Sequence, residues 1–170
     1  MIFHIHTRRF GDSRGWFTES YNERRFAEYG ISTRFVQDNH SLSRNKGTLR
    51  GLHFQSPPFA QAKLVRCLRG RILDVFVDLR RGSPTFGHYG SVELSGDWDE
   101  QVLIPEGYAH GFLTLEEDTE IMYKVSNFYA PQHDHGIRWD DPTANIAWPF
   151  EIDPTNLSDK DRKLPLLAEI

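Results

Sequence analysis

Cysteine is almost missing from this chain of 170 residues: Cys67 is the only one. No intrachain disulfide can form, which excludes a disulfide-stapled secreted fold. Long apolar runs are missing as well, and none approaches the roughly 18 residues of a membrane-spanning helix. The N-terminal stretch Met1-Ile2-Phe3-His4-Ile5-His6-Thr7-Arg8-Arg9 lacks the apolar core of a signal peptide, so a cytoplasmic protein is expected. Lysine is scarce, with 5 against 15 arginines, and the 20 basic residues are outnumbered by 24 acidic ones. The resulting net charge of −4 argues against a partner such as a nucleic-acid polymer. The arginine excess still permits a specific anion site, because the guanidinium fork suits phosphate and carboxylate. There is no internal repeat, low-complexity stretch or linker, and residues 1–170 read as a single domain. A glycine-rich phosphate loop and a Gly-x-Ser-x-Gly elbow are both absent, and Cys67 lies among Val65 and Leu68, where it reads as core.

What the chain does have is period-two hydrophobicity. The one helix signal comes early: Ser20 and Glu23 have capping-box spacing, Phe26 and Tyr29 follow on one face, and Gly30 supplies a stop. After it, β-rich runs at 34–39, 48–55, 62–68, 71–79, 91–94, 101–104, 111–115 and 120–128 alternate with turn residues. In the fourth run Leu73, Val75, Val77 and Leu79 share one face, and Asp74 and Asp78 lie on the other. Many short strands at this spacing predict an all-β sandwich or barrel with a short N-terminal helix and a short C-terminal helix near Ser158 to Asp161. A barrel of this size is either filled or open enough for one small ligand. Gln37 with Asn39, Lys63 with Val65, and Tyr123 with Ile121 put polar groups on faces that converge on such an interior.

His53 lies in Leu49-Arg50-Gly51-Leu52-His53-Phe54-Gln55, flanked by apolar residues. It reads either as a hydrogen-bonded core histidine or as a catalytic imidazole. Arg50 and His53 have opposite parity, so both face one pocket only if the strand bulges between them, and Gly51 is the expected place. The segment Pro105-Glu106-Gly107-Tyr108-Ala109-His110 has the Pro-x-Gly-x-x-His pattern of cupins. Metal-binding cupins add a His-x-His pair upstream, but here that position reads His53-Phe54-Gln55. The pairs His4/His6 and His133/His135 read as exposed, so a metal set built from these parts is incomplete and no metal is expected. What remains is imidazole, ammonium, phenol and guanidinium chemistry without a cofactor. Those groups suit proton abstraction beside a carbonyl: histidine takes the proton, a cation stabilises the enolate, and a phenol on the opposite face returns a proton with inversion.

At these residues the chain resembles the dTDP-4-dehydrorhamnose 3,5-epimerase family. The motifs that carry the resemblance run from Gly11-Asp12-Ser13-Arg14-Gly15 through Phe35-Val36-Gln37-Asp38-Asn39, Leu49 to Gln55, Ala62-Lys63-Leu64-Val65, Ile104 to Phe112, Tyr123-Lys124 and Trp139-Asp140-Asp141-Pro142 to Ser158-Asp159-Lys160-Asp161. The resemblance implies a cupin-type jelly-roll barrel that epimerises C3 and C5 of dTDP-4-dehydro-6-deoxy-D-glucose without a cofactor. It implies that His53 is the base, oriented by Asp161, with Tyr123 the acid and Lys63 the stabiliser of the enolate. It further implies that Arg14, Glu19, Gln37, Asn39, Arg50, His110, Asp134 and Lys160 hold the nucleotide sugar, with Phe17 against the base. Asp134 stands where the family commonly has glutamate. Arg14 and Glu19 are expected to reach a neighbouring subunit, because the family exchanges its N-terminal segment in a homodimer. Read from the residues alone, Asp161 is rather the third residue of a short helix capped by Ser158, and Lys160 reads as a surface lysine; the resemblance reverses the reading of Asp161. A single-site epimerase, a metal-dependent cupin and a non-catalytic sugar-nucleotide-binding module remain the alternatives.

Overall fold

A computed structural model describes residues 1–170. In chain order the elements are β1 (Phe3–His6), β2 (Arg9–Asp12), β3 (Gly15–Thr18), α1 (Glu23–Glu28), β4 (Gln37–Ser43), β5 (Leu49–Gln55) and β6 (Lys63–Arg69). They continue with β7 (Arg71–Asp78), β8 (Tyr89–Ser95), β9 (Glu100–Ile104), β10 (Tyr108–Thr114), β11 (Thr119–Val125) and β12 (Asp134–Gly136). Two antiparallel five-stranded sheets form, in the orders β1-β9-β6-β11-β4 and β12-β5-β10-β7-β8. From β4 to β11 the chain changes sheet at every connection except β7 to β8, the connectivity of a jelly roll.

The sheets face each other across Val65, Ile72, Leu94, Val102, Ile104, Phe112 and Ile121. Each such side chain contributes roughly 1.5–3 kcal/mol on burial, so this filled end holds the barrel together and leaves the other end free to be polar. The outer faces are covered too. Phe26 and Ile31 pack on Leu64 and Leu103 of the first sheet. Ile137, Ala144 and Leu167 cover Leu52, Val75 and Val77 of the second. The Leu73–Val75–Val77 face of β7 is therefore the outer one, and the opposite face, with Ile72, Asp74 and Phe76, looks into the barrel. Asp74 is 0% exposed there.

The helix is present but capped differently from expectation. Asn22 is the N-cap, its side chain accepting from Arg24 N at 3.0 Å and Arg25 N at 3.3 Å. Ser20 instead gives its carbonyl to Gln101 Nε2 at 2.7 Å. Tyr21 is fixed edge-on against Phe26 and Phe35, and asparagine caps as well as serine, so the helix starts two residues later. At the other end Gly30, at φ +78°, donates to Ala27 O while Ile31 donates to Phe26 O, the paired bonds of a Schellman stop. The C-terminal helix takes the form of separate 3₁₀ turns at Pro154–Asn156, Asp161–Lys163 and Leu167–Glu169. Strands β1 to β3 and β12 lie in stretches without a predicted strand. β1 alternates Phe3 and Ile5 with histidines and pairs with β9, and β2 and β3 form a separate hairpin.

Candidate active site

The open end of the barrel begins at Gly51. Opposite β10, His53 aligns with His110 and Arg50 with Phe112, so two residues of β5, Gly51 and Leu52, stand opposite one of β10, Gly111. The extra residue reverses the parity, and Arg50 and His53 both line one cavity of about 390 Å³. Gly51 sits at φ +130°, and a Cβ there would lie 2.5 Å from Gly111 Cα, so a glycine is needed for the two strands to approach.

His53 Nε2 lies 2.6 Å from Asp161 Oδ1. Asp161 reaches this position because Ser158 Oγ accepts its backbone N–H at 3.0 Å and starts the 3₁₀ turn. The two readings of Asp161, turn residue and partner of His53, thus describe one geometry. Burial pushes the Asp161 carboxyl up, but the bond from His53, with help from Gly51 N–H, outweighs it and leaves the pKa below the usual value. An ionised Asp161 takes the proton on Nε2, and the lone pair is left on Nδ1.

From the facing sheet come Lys63 on β6 and Tyr123 on β11, which line the same cavity. Lys63 Nζ donates to His53 O at 3.0 Å. Burial brings its pKa down from 10.5 to about 8, with Asp134 and Asp74 opposing. Burial raises the Tyr123 phenol, with Arg50 opposing, so it stays protonated at neutral pH. His110 is 6% exposed and donates from Nε2 to Asp74 Oδ2 at 2.8 Å. Burial holds the His110 imidazole below its ordinary value although Asp74 pulls the other way.

A second cavity of about 270 Å³ adjoins the first, sharing His53, Lys63 and Tyr123 and adding Gln37, Asn39, Tyr129 and Asp134. Gln37 Nε2 donates to Asn39 Oδ1 at 2.9 Å. Arg50 is aimed by Ser43 Oγ at 3.1 Å and Leu42 O at 3.3 Å. Asp134 pairs with Lys160 and accepts the Tyr129 hydroxyl at 2.9 Å. Ten of the thirteen residues singled out in the sequence surround this pair of cavities. Arg14, Phe17 and Glu19 do not enter the cavity of their own chain. Arg14 pairs with Asp12 at the hairpin turn, Glu19 pairs with Arg25, and the Phe17 ring is 68% exposed.

The sequence reading missed Asp74 and Tyr129. Alternation along β7 separates two faces without saying which is covered, so Asp74 carried no signal of its own. Tyr129 lies in a segment outside the ladders, and only its place six residues after Tyr123 could have drawn attention. Among metal-ligating residues, no group of three His, Cys, Asp or Glu is placed to hold an ion. Gln55, at the second position of the cupin His-x-His pair, spends its side chain on backbone groups. The donor set does not fit a metal centre.

A jelly roll whose two sheets aim an imidazole–carboxylate pair, an ammonium and a phenol into one cavity is an acid–base isomerase of the cupin type. The family model for dTDP-4-dehydrorhamnose 3,5-epimerase matches residues 2–169, and the chain belongs to that family. It is 51% identical over 166 residues to the dTDP-4-dehydrorhamnose 3,5-epimerase of Sinorhizobium fredii, covering 98% of this chain and 85% of that one. A crystal structure of the Bacillus anthracis enzyme with TDP and PPi bound superposes with a TM-score of 0.93 at 49% identity, covering 97% and 93% of the two chains. The Legionella pneumophila enzyme in complex with dTDP-4-keto-L-rhamnose gives a TM-score of 0.93 at 44% identity over 99% and 89%.

Proposed function

We propose that this single-domain chain is a cytoplasmic, homodimeric epimerase that inverts C3 and C5 of dTDP-4-dehydro-6-deoxy-D-glucose, giving dTDP-4-dehydro-L-rhamnose without metal or redox cofactor. The observation that carries this reading is the His53–Asp161 pair on one sheet facing Tyr123 on the other across one cavity, with Lys63 beside His53. The C4 carbonyl acidifies the C–H bonds at C3 and C5. His53 removes one of these protons and becomes imidazolium, which ionised Asp161 stabilises, while the electron pair moves to O4 as an enolate. The Lys63 ammonium stabilises that oxygen, and His110, whose one N–H is given to Asp74, is assigned to holding the nucleotide sugar. Tyr123 then gives its proton to the opposite face of the carbon, the carbonyl re-forms, and the centre is inverted. Proton exchange with water restores imidazole and phenol before the second carbon reacts.

Arg50, Gln37, Asn39, Asp134 and Lys160 are assigned to the nucleotide sugar, and Arg50 and Lys160 supply the positive charge that faces its diphosphate. Arg14, Phe17 and Glu19 are assigned to a partner subunit's cavity. The exposed β2–β3 hairpin, with Phe10, Trp16 and Phe17 uncovered, supports that assignment.

Incubating the dTDP-4-keto sugar with the protein in D₂O tests the reading. Deuterium is expected at both C3 and C5. Deuterium at one carbon would indicate a single-site epimerase, and deuterium at neither a binding module.

Lys63 sets a pH dependence. Its working form is the ammonium, and burial brings its pKa to about 8, so kcat is expected to fall as pH rises through that value. The sign for stability is opposite. A folded-state pKa below the unfolded one means that folding favours the neutral amine, so this group adds stability between about 8 and its ordinary 10.5. Activity falling while Tm holds or rises is the expected pattern, and Lys63→Arg, which keeps its charge, should lose the alkaline fall. An unchanged alkaline limb in Lys63→Arg would remove Lys63 from the role.

A further inference from the structure

The segment 127–130 carries Tyr129 to the edge of the cavity, and side chains rather than a neighbouring strand hold its backbone. Gln55 is 6% exposed and makes three bonds to main-chain groups. Its Nε2 donates to Phe59 O at 2.7 Å and Phe128 O at 3.1 Å, and its Oε1 accepts Ala130 N–H at 2.8 Å. Gln61 Nε2 donates to Asn127 O at 2.7 Å, and Gln37 Oε1 accepts Tyr129 N–H at 3.3 Å. Three glutamines thus stand where a β ladder would otherwise be. Gln55 also lies opposite Asp134 in the β5–β12 register, so one residue ties both ends of the Tyr129–Asp134 hydrogen bond to the barrel.

We propose that Gln55 is a positioning residue for substrate binding: its amide fixes the segment carrying Tyr129 and thereby the Tyr129–Asp134–Lys160 edge that receives the nucleotide sugar. Only a side-chain amide fits the task. It offers two donors and an acceptor at once, whereas a neutral imidazole, the group metal-binding cupins carry at this position, offers one of each, and a carboxylate has no donor. Loosening the segment leaves His53, Lys63 and Tyr123 on their own strands and Asp161 on its 3₁₀ turn, so the effect belongs to affinity rather than to proton transfer. The inference rests on the proposed function, which puts the nucleotide sugar at this edge.

The test combines calorimetric titration with dTDP and steady-state kinetics on Gln55→Glu and Gln61→Ala. Gln55→Glu keeps the size of the side chain but loses both donors, and it is expected to raise the dTDP Kd and the KM by roughly tenfold, with kcat within about twofold. Gln61→Ala, at a half-buried site with one bond to lose, is expected to move Kd and KM the same way by roughly threefold. Adding Tyr129→Ala to Gln55→Glu should give less than the sum of the two single effects, because both act through one edge. A kcat loss at unchanged KM overturns the inference, as does full additivity. Should Gln55→Glu fail to fold, Gln61→Ala decides alone: a raised Kd at unchanged kcat supports the inference and an unchanged Kd overturns it. Wild-type protein that does not bind dTDP overturns the proposed function and this inference with it. Wild-type binding with unaltered variants overturns the inference alone.

Discussion

Replacing His53 by asparagine is expected to lower kcat by about 10²–10⁴-fold, the range for one positioned acid–base group, while the dTDP Kd stays within a few-fold. The size of the effect follows from where the proton goes. With Nε2 engaged by Asp161 at 2.6 Å, the ring has one basic nitrogen, and an asparagine amide has none. The groups assigned to the nucleotide lie elsewhere: Arg50 is held by Ser43, and Lys160 by Asp134. Asp161→Asn should give the same kind of loss with the imidazole still present, because a neutral amide neither fixes the tautomer nor stabilises the imidazolium. Deuterium wash-in at C3 and C5 should slow in parallel with kcat for both variants. A His53→Asn protein that loses affinity with unchanged turnover would show that the histidine binds rather than reacts.

The parts of this site that could be read from sequence are those carried by strand parity or by a short motif. Period two places Lys63 with Val65 and Tyr123 with Ile121 on inward faces, and the structure has both in the cavity. The parity conflict between Arg50 and His53 called for a bulge, and the register shift opposite His110 and Phe112 supplies it. Asp74 could not be read, because the valine face of β7 looks like the core face until the covering residues Ile137, Ala144 and Leu167, far along the chain, are seen packed on it. The short edge strands fared similarly. β12 has three residues, too few for a pattern, and exists because β5 offers it an open edge. The contact of Asp161 with His53 spans 108 residues, so no local signal shows it, and only the turn started by Ser158 is written nearby. The helix cap moved from Ser20 to Asn22 because two good caps lie within one turn of each other and tertiary packing of Tyr21 selects between them.

Gly51→Ala is expected to damage stability and the site together. Alanine at φ +130° costs about 1–3 kcal/mol in backbone energy. Its methyl group would lie 2.5 Å from Gly111 Cα and 2.9 Å from His110 O, backbone atoms that cannot rotate away, and forcing such a contact adds about 1–3 kcal/mol. A total on the order of 4 kcal/mol corresponds to a fall in Tm of roughly 10 °C for a chain of this size. The neighbouring strands must part to make room, and the Gly51 N–H that faces Asp161 Oδ2 at 3.4 Å moves with them. Protein that still folds should therefore turn over more slowly, because the bulge that lets Arg50 and His53 share a cavity is the feature being forced open. Gly30→Ala is the control. Gly30 also has a positive φ, +78°, but open space around its missing Cβ, so it should cost only about 1–2 kcal/mol and leave kcat unchanged. Equal losses of Tm in the two variants, with kcat intact in both, would show that the approach of β5 to β10 at Gly51 matters neither to the barrel nor to its chemistry.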